Sequence, residues 1–171
     1  MGNVHVDSTF TLQIAGTNTP GQNVNINSLT GDNNSTVEIN ANTTGVNNQS
    51  VILKIAGKNS DGTDMLIPFD LSTMDWKQNA ATTAFDASSF QIVYGGPANI
   101  SMKGGNSQSA ATVYAPNASF TMQGTQDFFG SILARTITNG GNASIHYDRR
   151  LSRDFWVAGH PMIGSFAWKR F

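Results

Sequence analysis

The sequence predicts an all-β fold, a right-handed parallel β-helix (β-solenoid) with rungs of about 19–21 residues, a period typical of repeat architectures. Three observations predict it. Charged residues are scarce, at 12%, while apolar residues hold at 39%. Asn, Gly, Ser and Thr make up the polar remainder, and these residue types favour turns and half-buried strands and do poorly inside helices. The second half of the chain repeats itself at a period near twenty residues.

Length and charge bound the rest. A chain of 171 residues fits one domain with one core, because a chain of this size can bury roughly 70% of its unfolded surface. Residues 1–171 are therefore read as a single solenoid. Low charge without low apolar content argues against disorder, which net charge normally maintains. The formal charge of −1 provides no field to capture nucleic acid or anionic lipid, so neither is an expected partner. No cysteine is present, which removes disulfides, thiol chemistry and thiolate zinc sites. No apolar run approaches the roughly 18 residues of a membrane span. Met1-Gly2-Asn3 does not open a signal peptide, so the expectation is an excised soluble piece with no span in this chain.

Along the first third, short runs alternate apolar and polar residues or are β-branched, and each ends near Gly or Asn. They are Thr9–Ile14, Asn23–Ile26, Thr36–Ile39 and Ser50–Ile55. Asp61-Gly62, followed by the apolar run Met65–Phe69, marks a hairpin or tight turn. Ser72–Phe85, with Met74, Trp76 and Phe85, is where a short helix or an irregular covering loop is expected, its apolar spacing being sparse. Short strands at regular spacing serve an antiparallel sandwich as well as a solenoid, so for this half both architectures stay open.

From Phe90 onward the repeat decides. Residues 111–129 align with 130–148 at a spacing of 19, which places Val113 on Ile132, Tyr114 on Leu133, Ala115 on Ala134 and Phe128 on Tyr147. A looser copy lies upstream. Ile92-Val93-Tyr94 precede Val113-Tyr114-Ala115 by 21, and Met102-Lys103-Gly104 precede Met122-Gln123-Gly124 by 20. Sandwich strands have no reason to repeat in sequence, whereas a solenoid rung cannot bury its apolar face until a similar neighbour stacks on it. Leucine-rich repeats share the period but need Leu at fixed positions, and Leu is scarce here. Rungs about 4.8 Å apart would put Val, Ile, Phe and Met in the bore and Asn or Gly at the corners. The repeat is clearest over 89–148. The apolar stretch Phe155–Trp168, within 149–171, reads as a C-terminal cap on the open end, where bare strand edges would otherwise recruit another chain.

Several blocks carry a resemblance: Phe90–Gly95, Val113-Tyr114-Ala115-Pro116-Asn117-Ala118, Asp127-Phe128-Phe129-Gly130-Ser131-Ile132, Ile145-His146-Tyr147-Asp148 and Trp168-Lys169. In this order they resemble an uncharacterised bacterial C-terminal domain family, often found after a PilX-like, pilin-type N-terminal membrane segment. The likeness covers Phe90–Phe171 well and the N-terminal half only in style. It implies an envelope or surface protein with a β-helical body, related in architecture to polymer-forming bactofilins, and it implies no known reaction. Fold analogy alone is an associational warrant.

His146-Tyr147-Asp148-Arg149-Arg150 is the densest polar cluster. On a strand, His146 and Asp148 share one face while Tyr147 and Arg149 share the other. With no nucleophile or metal partner visible in the sequence, the reading is structural. Tyr147, Asp148 and Arg149 end the last rung, and Asp127, one repeat before His146, forms a rung-to-rung pair with it. Two ligands without a third make a weak metal signal, so neither a metal nor any other cofactor is expected. Asn59–Asp64 has the oxygen content of a calcium loop, but Gly62 sits two places too early for an EF-hand and no Glu closes it, which favours a simple turn. Trp76, Trp156 and Trp168 offer faces on which sugars could stack, yet core or cap packing is the preferred reading.

The functional expectation is a non-catalytic cell-surface or pilus-associated structural and adhesive module, extracellular or in a bacterial envelope. Its partners would be a surface ligand or other envelope and pilus subunits, with a homo-oligomer as a further option. The alternative from another class is a carbohydrate-active β-helix enzyme, a polysaccharide lyase or hydrolase. It needs clustered carboxylates, and only 11 acidic residues are scattered over the chain. An ice-binding solenoid is a third reading, disfavoured because Thr does not recur at one position of the 19-residue unit.

Overall fold

A computed structural model describes residues 1–15, 22–40, 50–78, 87–103, 110–149 and 151 of the chain. The alternating runs form strands that wind as a solenoid, one strand on each of three walls per turn. The first wall stacks β1 (Asn3–Val6), β4 (Ser28–Gly31), β7 (Phe69–Leu71) and β10 (Ile100–Lys103). The second stacks β2 (Thr11–Ala15), β5 (Thr36–Asn40) and β8 (Asp75–Gln78). The third stacks β3 (Gln22–Ile26), β6 (Val51–Ile55) and β9 (Phe90–Tyr94). These strands pair in parallel on every wall, so the N-terminal half continues the solenoid and the sandwich alternative falls.

Two long strands then change the plan. β11 (Ala110–Gln123) and β12 (Phe128–Asn139) each lay their first half on the third wall and bend round a corner to lay their second half on the first wall. β13 (Ile145–Tyr147) ends the third wall against Phe128–Gly130. Beyond β8 the second wall receives no further strand among the described residues. Short turns after Gln123 and Asn139 carry the chain straight back to the third wall.

The expected rung length is therefore correct only locally. Gln91 opposes Thr112, an offset of 21, and Ile100 opposes Phe120, an offset of 20. Upstream, Asn3 opposes Ser28 at an offset of 25 and Leu29 opposes Phe69 at 40, because those turns carry a third wall and longer corners. Downstream, Phe120 opposes Ile137 at an offset of 17.

The fine register follows the repeat and then departs from it. Val113 pairs with Ile132, Tyr114 with Leu133 and Ala115 with Ala134, and Met102 pairs with Met122, all as the spacing predicts. Between Ala115 and Ser119, however, β11 holds two more residues than β12, so Ser119 opposes Thr136. Phe128 then opposes Ile145, not Tyr147. The extra residues sit at the Pro116-Asn117 corner, where Asn117 Nδ2 donates to Gly95 O of the preceding rung at 2.8 Å. A bulge at a corner bends a strand without breaking its ladder.

Ser72–Phe85 is corrected as well. Asp75–Gln78 is strand β8, with Val37 opposing Trp76, and residues 79–86 lie outside the described residues. Trp76 and Gln78 point into the bore and Lys77 points out. The strand is fixed by what it meets: the Trp76 ring stands 6.2 Å from the rings of both Phe90 and Phe128, and its Nε1–H donates to Lys103 O at 2.6 Å. An apolar cluster runs unbroken from Val6 to Ala143. Asp61-Gly62 makes the expected tight turn, with Lys58 and Asp64 bridged antiparallel and Gly62 at φ +85°, a conformation that suits glycine. Of the cap expected over 149–171, Arg149 and Leu151 are described, and Leu151 is buried against Ala87 and Ala110. Trp156 and Trp168 lie outside the described residues.

Candidate functional site

At the last turn, β12 and β13 place His146 directly over Phe129 on the outside of the third wall, the two rings stacked with centroids 4.9 Å apart and 16° between planes. Asp127 lies just before β12. Its Oδ1 accepts the Ser144 amide at 3.1 Å, and its Oδ2 lies 3.2 Å from His146 Nε2. The Ser144 amide, and then the hydrogen bond and charge of His146, hold the Asp127 carboxyl below the ordinary range. The pair is not a straight rung-to-rung partner, as a 19-residue unit implies. The shorter last turn puts Ser144 beside Asp127 and lets His146 reach it diagonally. Tyr147 occupies an inward column but is 59% exposed, since no further strand covers it among the described residues. Asp148 donates its amide to Gly130 O at 3.2 Å, and its own carbonyl accepts the Leu151 amide at 3.1 Å, which closes the rung end; Arg149 sits in that turn.

On the first wall the outward side chains line up in columns. His5 opposes Thr30, Asp70 opposes Ser101, and Ser101 opposes Thr121, which opposes Thr138. β4 joins the two groups through the Leu29–Phe69 pair, which sets Thr30 beside Asp70. The result is one column of six polar side chains on six successive strands, at a strand spacing of about 4.8 Å. Beside it Thr136 Oγ1 donates to Ser119 Oγ at 2.8 Å. The inward neighbours Leu29, Phe69, Ile100 and Phe120 are buried to within 1%. Thr does recur along this column, contrary to the sequence expectation. Thr121 and Thr138 are stacked, at an offset two shorter than the fixed repeat assumes, and the fixed repeat hides them.

Sequence reasoning also missed His5, Asp7 and Asp32. His5 and Asp7 come from the end of β1, and Asp32 follows β4, so the second strand of the first wall brings it alongside. The His-X-Asp spacing on a strand was a readable signal, since i and i+2 share a face. The contribution of Asp32 was not readable, because it depends on how much chain the first turn takes.

Residues 1–154 match the family described as a domain of unknown function, DUF7305. The chain belongs to the DUF7305 family. The match spans the three-walled part, both long strands and the last rung, so this DUF7305 domain includes every column described above. No curated protein and no solved structure matches the chain. No helix among the described residues is long and apolar enough to cross a membrane.

Proposed function

We propose that this DUF7305 domain is a non-catalytic display module of a bacterial envelope or pilus, using its first wall to hold a surface ligand or another envelope subunit. The observation that carries the reading is the six-strand column His5–Thr30–Asp70–Ser101–Thr121–Thr138. It is a regular row of hydrogen-bonding groups on a sheet whose other side is solid core. Such a row makes many weak polar contacts to an extended partner, and its regularity limits the ordering cost of binding because the strands are already fixed. A row dominated by Ser and Thr, with few charges, favours hydrogen bonding over electrostatic capture.

The test uses the intact chain. Biotinylation of whole cells with a membrane-impermeant reagent should label it, and binding to envelope fractions should fall at least about tenfold in a Thr121→Lys/Thr138→Lys double variant. A Gln13→Lys variant on the second wall should bind as the parent does. Equal binding by both variants overturns the first-wall reading. Turnover of a polysaccharide that disappears in His146→Ala with an unchanged melt would promote the carbohydrate-active alternative instead.

A further inference from the structure

Away from that row's centre, the solenoid's first edge gathers three ligand-type side chains. His5 Nε2 lies 3.3 Å from Asp32 Oδ1 and 3.7 Å from Asp7 Oδ1, and one ligand atom from each residue falls within 4.8 Å of the other two. We propose that His5, Asp7 and Asp32 bind a divalent transition-metal ion of the zinc class, clipping the first turn of the solenoid to the second.

Three features carry the assignment. The first is separation. A charge-assisted N–H···O⁻ bond draws its atoms to about 2.7–2.9 Å. Atoms bonded at about 2.0–2.2 Å to one tetrahedral Zn²⁺ stand roughly 3.3–3.6 Å from each other. Both His5 separations are longer than that and close to the edge length of the tetrahedron. The second is orientation. His5 Nδ1 lies 3.0 Å from Thr30 Oγ1, its partner across β1 and β4. The Thr30 hydroxyl can accept from Nδ1–H, and in that tautomer the Nε2 lone pair faces the carboxylates. Metal-ligating histidines commonly carry such a hydrogen bond on the far ring nitrogen, which orients the ring. The third is charge. Two carboxylates converge on one imidazole, and among the described residues no Lys or Arg ion pair neutralises either of them. A divalent cation balances both.

The donor set selects the ion class. One imidazole nitrogen with two carboxylate oxygens suits Zn²⁺, Co²⁺ or Ni²⁺, whereas Ca²⁺ takes six to eight oxygens and rarely accepts nitrogen. All three residues are exposed, so a coordination position stays open to water. Asp32 also anchors the site mechanically, its amide donating to Val6 O at 3.0 Å.

The experiment is calorimetric titration of the full chain with ZnCl₂, in parallel with CaCl₂, together with melts in ZnCl₂ and in EDTA. Zinc should bind at one-to-one stoichiometry and raise the melt in a concentration-dependent way, reversed by EDTA. His5→Ala and Asp32→Asn should each weaken zinc binding at least about tenfold. Thr30→Val, which removes only the orienting hydroxyl, should weaken it by about tenfold, the scale on which partners behind a ligand act. His146→Ala should bind zinc as the parent does. Should His5→Ala loosen the first strand, Asp7→Asn answers the question, because that side chain is 76% exposed and its melt in EDTA should equal the parent's. Undiminished zinc binding in Asp7→Asn or Asp32→Asn, tighter binding of Ca²⁺ than of Zn²⁺, or no zinc-dependent melt shift would each overturn the assignment.

Discussion

The first turns of this solenoid and its last turns solve one packing problem in two ways. Up to β9 the bore is enclosed by three walls, and the third wall fills it with large side chains, Phe90 and Tyr94 among them. Past β8 no described strand joins the second wall, and the space narrows. Along the same columns, Phe90 is followed by Ala111 and then Gly130, and Tyr94 by Ala115 and Ala134. The first wall does not shrink: Phe69, Ile100 and Phe120 stay large through the transition. A two-walled section thus packs one large face against one small face, the complementarity that close-packed interiors require. Trp76, on the last described strand of the second wall, spans the junction by touching Phe90 of the wide section and Phe128 of the narrow one.

The strongest test of that junction is Trp76→Ala. It removes the shared ring and leaves Lys103 O without its donor, and should cost about 3–5 kcal/mol in denaturant unfolding. If the two sections were independent, the loss would appear as a separate early transition, and a single shifted transition would show that they unfold as one.

Next in size is a pair of matched truncations. Ile92, fully buried in the wide section, should cost about 2–5 kcal/mol as Ile92→Ala. Ile137 holds an equivalent inward position on the last strand of the first wall but is 48% exposed, so Ile137→Ala should cost less than about 1 kcal/mol. Equal costs in equilibrium unfolding would show that the final turn is covered in solution.

Gly130→Ala probes the close approach of β12 to β11. Gly130 has φ +143°, and a Cβ there would fall 1.9 Å from Ala111 O, so the backbone must move. A loss of at least about 1 kcal/mol is expected. An unchanged melt would mean that β12 can shift against β11 at no cost.

The smallest effects are acid-side. Glu38, on the second wall, is held below the ordinary carboxyl range by Gln13 Nε2 and then by Lys77, and Asp127 is held down chiefly by the Ser144 amide. Both folded values lie below the unfolded ones. Each contribution is therefore fully present above the ordinary values, 4.5 for Glu38 and 3.8 for Asp127, and is lost as pH falls through the lower folded value. Glu38→Gln should flatten the acid limb of global stability, while Asp127→Asn should alter only amide exchange near β13. Reversed behaviour would exchange the roles assigned to the wide and narrow ends.

Some of this was legible in the residues. Val113-Tyr114-Ala115 and Ile132-Leu133-Ala134 announce their pairing because a rung buries its apolar positions only against a like rung. Asp127 and His146 could be brought together from the repeat, although the true offset differs by two at the Pro116-Asn117 corner. The core packing of Trp76 was legible, but its strand was not, because four residues are too short for a period and take their shape from Val37, Phe90 and Phe128.

Local alternation, the β class and the presence of stacked rungs were readable from the residues, since each follows from side-chain period and turn chemistry within one turn of chain. The tertiary structure alone decided which turns have three walls, where the polar column on the first wall runs, and that Asp32 stands beside His5. Those outcomes depend on how much chain each turn takes, and that length follows no period: the stretch from Leu29 to Phe69 is more than twice the stretch from Phe120 to Ile137. Strand pairing fixes the register to the nearest hydrogen bond only after the chain has come round.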